Sequence, residues 1–177
     1  MFEHPTYVVL ELPGPIADAV QALRERYDPR LAGYPAEITV AGSSGIGPVL
    51  AGQSPEAVFA RLQAIADRHL PITARFAQWR RFASGPVTWL ALAQPAPLRA
   101  LHQAVADSGI GFAPHRFEFT PHCSACTLEL PAARQAQLLA DPVPAGDFKL
   151  TRLAAYAVAG DQPQLLWRSR VRDGRAI

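Results

Sequence analysis

The residues best suited to chemistry lie in the stretch Phe119-Thr120-Pro121-His122-Cys123-Ser124-Ala125-Cys126-Thr127-Leu128-Glu129-Leu130. It reads as a strand that opens directly after a proline, so His122 and Ser124 point to the same face. An imidazole moves a proton near neutral pH. A hydroxyl two residues on can donate a hydrogen bond to an anionic oxygen. A proton carrier beside an oxyanion donor suits phosphoryl chemistry. A lone His-x-Ser on a strand is common and usually structural. Its weight comes from a second copy of its surroundings earlier in the chain.

The same stretch holds a Cys-x-x-Cys pair, Cys123 and Cys126, with His115 and His122 nearby. A redox pair places its first thiol at a helix N-terminus, where its pKa falls. Here Thr127-Leu-Glu-Leu130 continues as a strand. Thiols three residues apart on a strand face opposite sides, which suits neither one disulfide nor one zinc. The cysteines therefore read as reduced packing residues, and neither metal nor cofactor is expected. His69 reads as a helix C-terminal residue favoured by the dipole. His102 reads as a packed histidine on an apolar helix face. His4-Pro5-Thr6 repeats the His-x-Thr spacing just before the first strand. If the N-terminus folds over a cleft, His4 could supply a second imidazole, although terminal residues are mostly frayed.

The elements that must carry these residues follow from period and punctuation. Tyr7 to Leu12 is a strand stopped by Pro13-Gly14-Pro15. Ile16, Ala19, Val20, Leu23 and Tyr27 recur at helical spacing until Asp28-Pro29. Glu37 to Ala41 is a second strand, and Ser43-Ser-Gly-Ile-Gly-Pro48 reads as a connection. Ser54-Pro55-Glu56 opens a helix with a cap, a proline and an acid in the first turn. That helix runs to His69. Ile72 to Phe82 reads as one long strand before Ser84-Gly85-Pro86.

The order then restarts. Val87 to Ala93 is a strand, Leu98 to about Gly109 a helix, and a loop with Pro114-His115-Arg116 leads to the His122 strand. Pro131 to Leu139 reads as a short helix. Phe148 to Val158 and Gln164 to Val171 read as a closing pair around Gly160-Asp161. Arg168, Arg170 and Arg172 share one face of the last strand, usually a solvated face or edge protection.

Composition sets the class. A chain of 177 residues with 49% apolar and 18% charged residues suits one globular domain or two small lobes. No apolar run reaches membrane-spanning length, and the N-terminus lacks a basic stretch followed by an apolar one. A cytoplasmic protein with no membrane partner is expected. The net charge of +2 is too small to argue for nucleic acid. Lys149 is the only lysine. Arginine forks grip phosphate well, but a compositional bias explains their excess at least as well.

The two halves match in order: strand, proline stop, helix, proline-led strand, helix, closing strands. They divide near Gly85, giving repeats of about 1–84 and 85–177. Glu37-Ile38-Thr39 corresponds to His122-Cys123-Ser124. The expected fold is α+β and bilobal, with two pseudo-symmetric halves. Antiparallel sheets would line a central cleft, with helices outside.

This arrangement resembles the 2H phosphoesterase superfamily, which includes bacterial 2′-5′ RNA ligase-like proteins and RNA 2′,3′-cyclic phosphodiesterases. The family carries two His-x-Thr/Ser motifs, each on a strand after a proline-bearing loop. The second is intact as Pro121-His122-Cys123-Ser124. The first corresponds to Pro35-Ala36-Glu37-Ile38-Thr39-Val40, and Leu23-Arg-Glu-Arg-Tyr27-Asp28-Pro29 also looks like the small bacterial branch. The resemblance implies that His122 is the acid/base, that Thr39 and Ser124 hold the phosphate, and that His115 and Arg116 lie at the cleft rim. It implies a metal-independent enzyme whose partner is an RNA end or a small nucleotide phosphodiester, with no obligate protein partner.

The departure is Glu37, which stands where the family has its first histidine. A carboxylate there could act as a base but would repel a phosphodiester, by about 1–4 kcal/mol at close range. Protonated, it would escape that repulsion and could act as an acid, which requires burial to raise its pKa. The alternative is a degenerate protein that binds phosphate or nucleotide without turnover.

Overall fold

The computed structural model describes residues 1–159 and 162–171. The Gly160-Asp161 turn and Arg172 lie outside the described residues. The chain is α+β with antiparallel sheets. β1 (Thr6–Glu11) leads into α1 (Gly14–Tyr27), which starts with proline in its first turn. Ile16, Val20, Leu23, Arg24 and Tyr27 form its buried stripe. A short α2 (Pro29–Ala32) follows, capped by the Asp28 carboxylate on the Leu31 N–H at 3.1 Å. Then come β2 (Glu37–Ala41), β3 (Ile46–Val49) and α3 (Pro55–His69), capped by Ser54.

Next in order are β4 (Ile72–Ala74), β5 (Phe76–Arg81), β6 (Thr88–Leu92), α4 (Ala96–Ala106), β7 (Phe112–Pro114) and β8 (His122–Cys126). The chain closes with α5 (Ala132–Ala140), β9 (Phe148–Leu150), β10 (Leu153–Ala159) and β11 (Gln162–Arg168). A six-stranded sheet runs β11-β10-β1-β3-β7, with β2 also on β1. A three-stranded sheet runs β5-β6-β8, and β4 pairs with β9. One apolar core draws Val8, Leu10, Ile38 and Val40 from the larger sheet and Leu90, Leu92 and Cys123 from the smaller, under Leu62 and Leu101 of the helices.

Several boundaries differ from the sequence reading. Ile72 to Phe82 is two strands in two sheets, because Ile72 pairs with Leu150 while Phe76 pairs with Leu92. Ile72, Ala74 and Phe76 are all buried, so the alternation runs unbroken through the change of partner. Phe148 to Val158 splits likewise into β9 and β10, here with a shift of phase between buried Leu150 and Leu153. The Ser43–Pro48 connection contains the start of β3, which pairs with β7, read in the sequence as loop. Gly45 makes that turn at φ 73°, where a Cβ would run into the His102 ring.

The His122 strand ends at Cys126 and does not continue through Leu130. Thr127 leaves the ladder because the Asp28 carboxylate accepts its N–H at 2.8 Å and its hydroxyl at 2.6 Å. Asp28 is fully buried. Strands from both halves of the sequence mix, since β7, β10 and β11 complete the sheet built on β1.

Candidate functional site

β2 and β8 present their side chains in the same way. In each, the first and third residues are half-buried and the second, fourth and fifth buried. Glu37 and Thr39 thus correspond to His122 and Ser124. The two strands are neighbours without sharing a ladder. The Cys123 thiol lies against the Glu37 backbone.

What joins them is Arg24, a buried guanidinium on α1 that is 1% exposed. Its Nε and Nη2 donate to the Ser124 carbonyl at 3.0 and 2.8 Å. Nη1 donates to the Tyr34 and Pro35 carbonyls at 3.1 and 3.0 Å. One side chain therefore pins the loop that leads into β2 and the open edge of β8. Asp28, one turn on, pins Thr127 just past the end of β8. Buried charges are tolerated where hydrogen bonds replace water. The sequence signal for Arg24 was its place on the apolar stripe of α1, between Leu23 and Tyr27, which the reading passed over.

Glu37, Thr39 and Ser124 line one cleft of about 240 Å³. Tyr7, Val9, Tyr156 and Val158 of the large sheet form one wall, and Leu31, Tyr34 and Pro35 another. Within it the Thr39 hydroxyl donates to Glu37 Oε1 at 3.1 Å. Glu37 Oε2 is buried and has no partner among the described residues. Burial pushes the Glu37 carboxyl up to about 7, while the Arg24 charge and the Thr39 hydroxyl pull it down. Arg24 lowers it through space only, since its described hydrogen bonds go to carbonyls and the Cys123 sulfur.

Glu11 stands directly across from Glu37 in the β1–β2 register. Opposed carboxylates repel. Glu11 is taken up instead by Arg168 at 2.7 and 3.0 Å and by the Tyr156 hydroxyl at 2.6 Å. Burial and the Glu11 carboxylate push the Tyr156 phenol up to about 12. Of the arginine stripe read on the last strand, Arg168 thus anchors Glu11.

The His122 ring does not line that cleft; it stands beside it, on the same strand face as Ser124 and about 7 Å along the strand. Phe82 meets it edge-on at 5.1 Å and Trp89 at 5.3 Å. Its Nδ1 faces the Thr120 carbonyl at 2.6 Å. That nitrogen must carry the proton, which leaves Nε2 with the lone pair. Burial drives the imidazole below its ordinary pKa, with the Thr120 bond opposing. His122 is therefore neutral at pH 7 and able to accept a proton. Trp89 pairs with Ser124 across β6 and β8, and its buried indole N–H has no partner among the described residues. Among the described residues the Ser124 hydroxyl also has no protein partner, and it faces the cleft.

The remaining candidates lie elsewhere. His115 accepts the Phe117 N–H at 3.2 Å, and Arg116 covers the Phe117 ring, in the loop after β7. His4 lines a separate hollow with Phe2, Phe59 and Leu166. Cys123 and Cys126 are free, buried and packed in different apolar clusters. Burial pushes the Cys123 thiol up to about 11. Among the described residues no group of three His, Cys, Asp or Glu is placed to hold a metal ion. Among them, too, no helix is long and apolar enough to cross a membrane.

The family and the fold are shared with known proteins. A family model described as 2′-5′ RNA ligase superfamily matches residues 12–162. A search of curated proteins finds no match. The fold is similar to the crystal structure of a phosphoesterase, with a TM-score of 0.60 and 22% identity over 93% of this chain and 96% of that one. It is similar to Escherichia coli LigT with 3′-AMP, with a TM-score of 0.59 and 21% identity over 96% and 99%. LigT with phosphate matches at a TM-score of 0.57 and 19% identity over 93% and 95%.

Proposed function

The chain belongs to the 2′-5′ RNA ligase superfamily, and from that premise we propose that it is a 2H-type phosphoesterase acting on a 2′-linked or 2′,3′-cyclic phosphodiester of RNA or of a nucleotide. One observation carries this reading: Glu37, Thr39 and Ser124 open into one cleft, and His122 shares the Ser124 face. Neutral His122 takes the proton of the attacking water at Nε2. Protonated Glu37 gives its proton to the departing ribose oxygen. The P–O bond to that oxygen breaks as the new P–O bond forms, and Ser124 and Thr39 hold the non-bridging oxygens. Groups with separated titration ranges suit such a division between base and acid. The cleft takes a small nucleotide or an RNA end, as nucleotides occupy LigT. Two buried, unpaired cysteines fit work in the cytoplasm.

The test is turnover against 2′,3′-cyclic nucleotides and 2′-5′-linked dinucleotides, with binding followed in parallel. The parent should hydrolyse one of them, and His122→Ala should lose about 10²–10⁴-fold. Glu37→His should leave a competent pair of imidazoles and depend on His122 in the same way. Binding without hydrolysis in the parent, together with a gain of hydrolysis in Glu37→His, would establish the degenerate alternative instead.

A further inference from the structure

The cleft holds an arrangement that a phosphate site does not ordinarily tolerate. Glu37 Oε1 occupies the Thr39 hydroxyl at 3.1 Å, and Oε2 is buried with no partner. The nearest cation cannot compensate through contact, because Arg24 spends its described hydrogen bonds on the Ser124, Tyr34 and Pro35 carbonyls and the Cys123 sulfur. An anion approaching the free Ser124 hydroxyl would meet a carboxylate that no described cation contacts and find only one of two hydroxyls available. Losing the Glu37 charge removes both obstacles together. A neutral carboxyl is a weaker acceptor, so Thr39 can turn to the ligand, and the unpartnered Oε2 becomes a donor.

We propose that Glu37 and Thr39 form a latch that opens only when Glu37 is protonated, so the cleft takes up one proton with each phosphodiester it binds. This rests on the phosphodiester reading of the cleft and deepens it. The carboxyl titrates near 7 because it is buried, which puts the latch at work in the neutral range.

The groups that face Glu37 leave the assignment clear. Glu11, across on β1, is bound by Arg168 of β11 and Tyr156 of β10. Arg24 comes from α1. Tyr7 and Tyr34 line the same cleft. Burial moves the Cys123 thiol on β8 to about 11, and burial with Glu11 moves Tyr156 to about 12, both far from neutrality. His122 on β8 titrates below its ordinary value. It is retained in Glu37→Gln, which separates its contribution from that of the carboxyl.

The experiment uses two anions whose own charge is constant between pH 5.5 and 9, dimethyl phosphate (one charge) and sulfate (two). Affinity is measured by calorimetry across that range, in pairs of buffers with different ionisation enthalpies. For the parent, dimethyl phosphate should weaken about tenfold per pH unit above the Glu37 titration, with close to one proton taken up per ligand at pH 8. Sulfate should show the same slope. Glu37→Gln should abolish the proton uptake and flatten the profile for both anions. Binding by the parent without proton uptake, or a slope that survives in Glu37→Gln, would overturn the latch while leaving the phosphodiester reading intact. If neither anion binds the parent or Glu37→Gln at any pH, the phosphodiester reading fails and takes the latch with it.

Discussion

β2 and β8 are the same device with one residue exchanged. In both, residues one and three are half-buried and share a strand face, and both follow a proline-bearing segment. On β8 the polar pair stays separate: His122 leans on Phe82 and Trp89, and the Ser124 hydroxyl is left open. On β2 the pair closes on itself, Thr39 donating to Glu37. Strand geometry puts residues i and i+2 on one face but does not decide whether they serve a ligand or each other. A carboxylate accepts from its neighbour and an imidazole held by its own backbone does not. The exchange therefore changes the hydroxyl as much as the titrating group.

The comparison depends first on Arg24, which holds the β2 approach and the β8 edge together. Removing it has the largest expected effect on folding. Arg24→Ala strips partners from three part-buried carbonyls, each worth about 1–3 kcal/mol when left unsatisfied, so a loss of about 3 kcal/mol is expected in urea unfolding. Arg75→Ala is the control. Arg75 bonds Asp147 at 2.6 Å with both side chains exposed, and such a solvated pair contributes little to stability. If Arg24→Ala costs no more than Arg75→Ala, the two strands are aligned by something other than this side chain.

The second test isolates the exchanged residue through pH. Glu37 titrates at about 7 when folded against an ordinary value of 4.5. Between those values the native state keeps a proton that the unfolded chain has released, so stability falls as pH rises through the window. At pH 8 the buried carboxylate costs about 3 kcal/mol relative to pH 4. Carboxylates with lowered values, such as Asp28, act in the opposite direction. The quantity to measure is therefore the difference between parent and Glu37→Gln. That difference should be small at pH 4 and should favour the glutamine form by about 3 kcal/mol at pH 8. A difference that stays constant across pH would mean Glu37 titrates as an ordinary surface carboxylate.

These tests lean on residues that differed in how readily the sequence disclosed them. Period and proline placement located β1, α1, β2, α3 and β6, and the repeat around Glu37 and His122 brought Thr39 and Ser124 into one argument. The α+β class followed from the same pattern. Hydrogen-bond partnership was invisible: the unbroken alternation from Ile72 to Phe76 conceals a change of sheet, and Thr127 looks like strand until Asp28 claims its N–H. Arg24 was legible only as a charge on an apolar helix face and Asp28 only as a helix end, and each has a partner about a hundred residues away. The aromatic surround of His122 also comes from Phe82 and Trp89, remote in sequence and adjacent only through sheet pairing. Local pattern reports which side of an element is buried; it does not report what that side meets.

The smallest expected effect is the most discriminating, because it asks whether the two hydroxyls are equivalent. A hydrogen bond to a bound anion contributes about 1 kcal/mol, or about fivefold in affinity. At pH 8 the Ser124 hydroxyl is free, so Ser124→Ala should lose that amount for dimethyl phosphate. The Thr39 hydroxyl is then engaged with ionised Glu37, so Thr39→Val should lose less. A second consequence reduces its effect further. Thr39→Val removes a donor that holds the Glu37 pKa down, so more of the carboxyl is protonated at pH 8, which favours the anion. At pH 6 the carboxyl is already neutral, the latch is open, and Thr39→Val should cost about as much as Ser124→Ala. In a Glu37→Gln background the two losses should match at both pH values. Equal losses at pH 8 in the parent would show that Thr39 serves the ligand even beside an ionised Glu37, and β2 and β8 would then differ only in their titrating group.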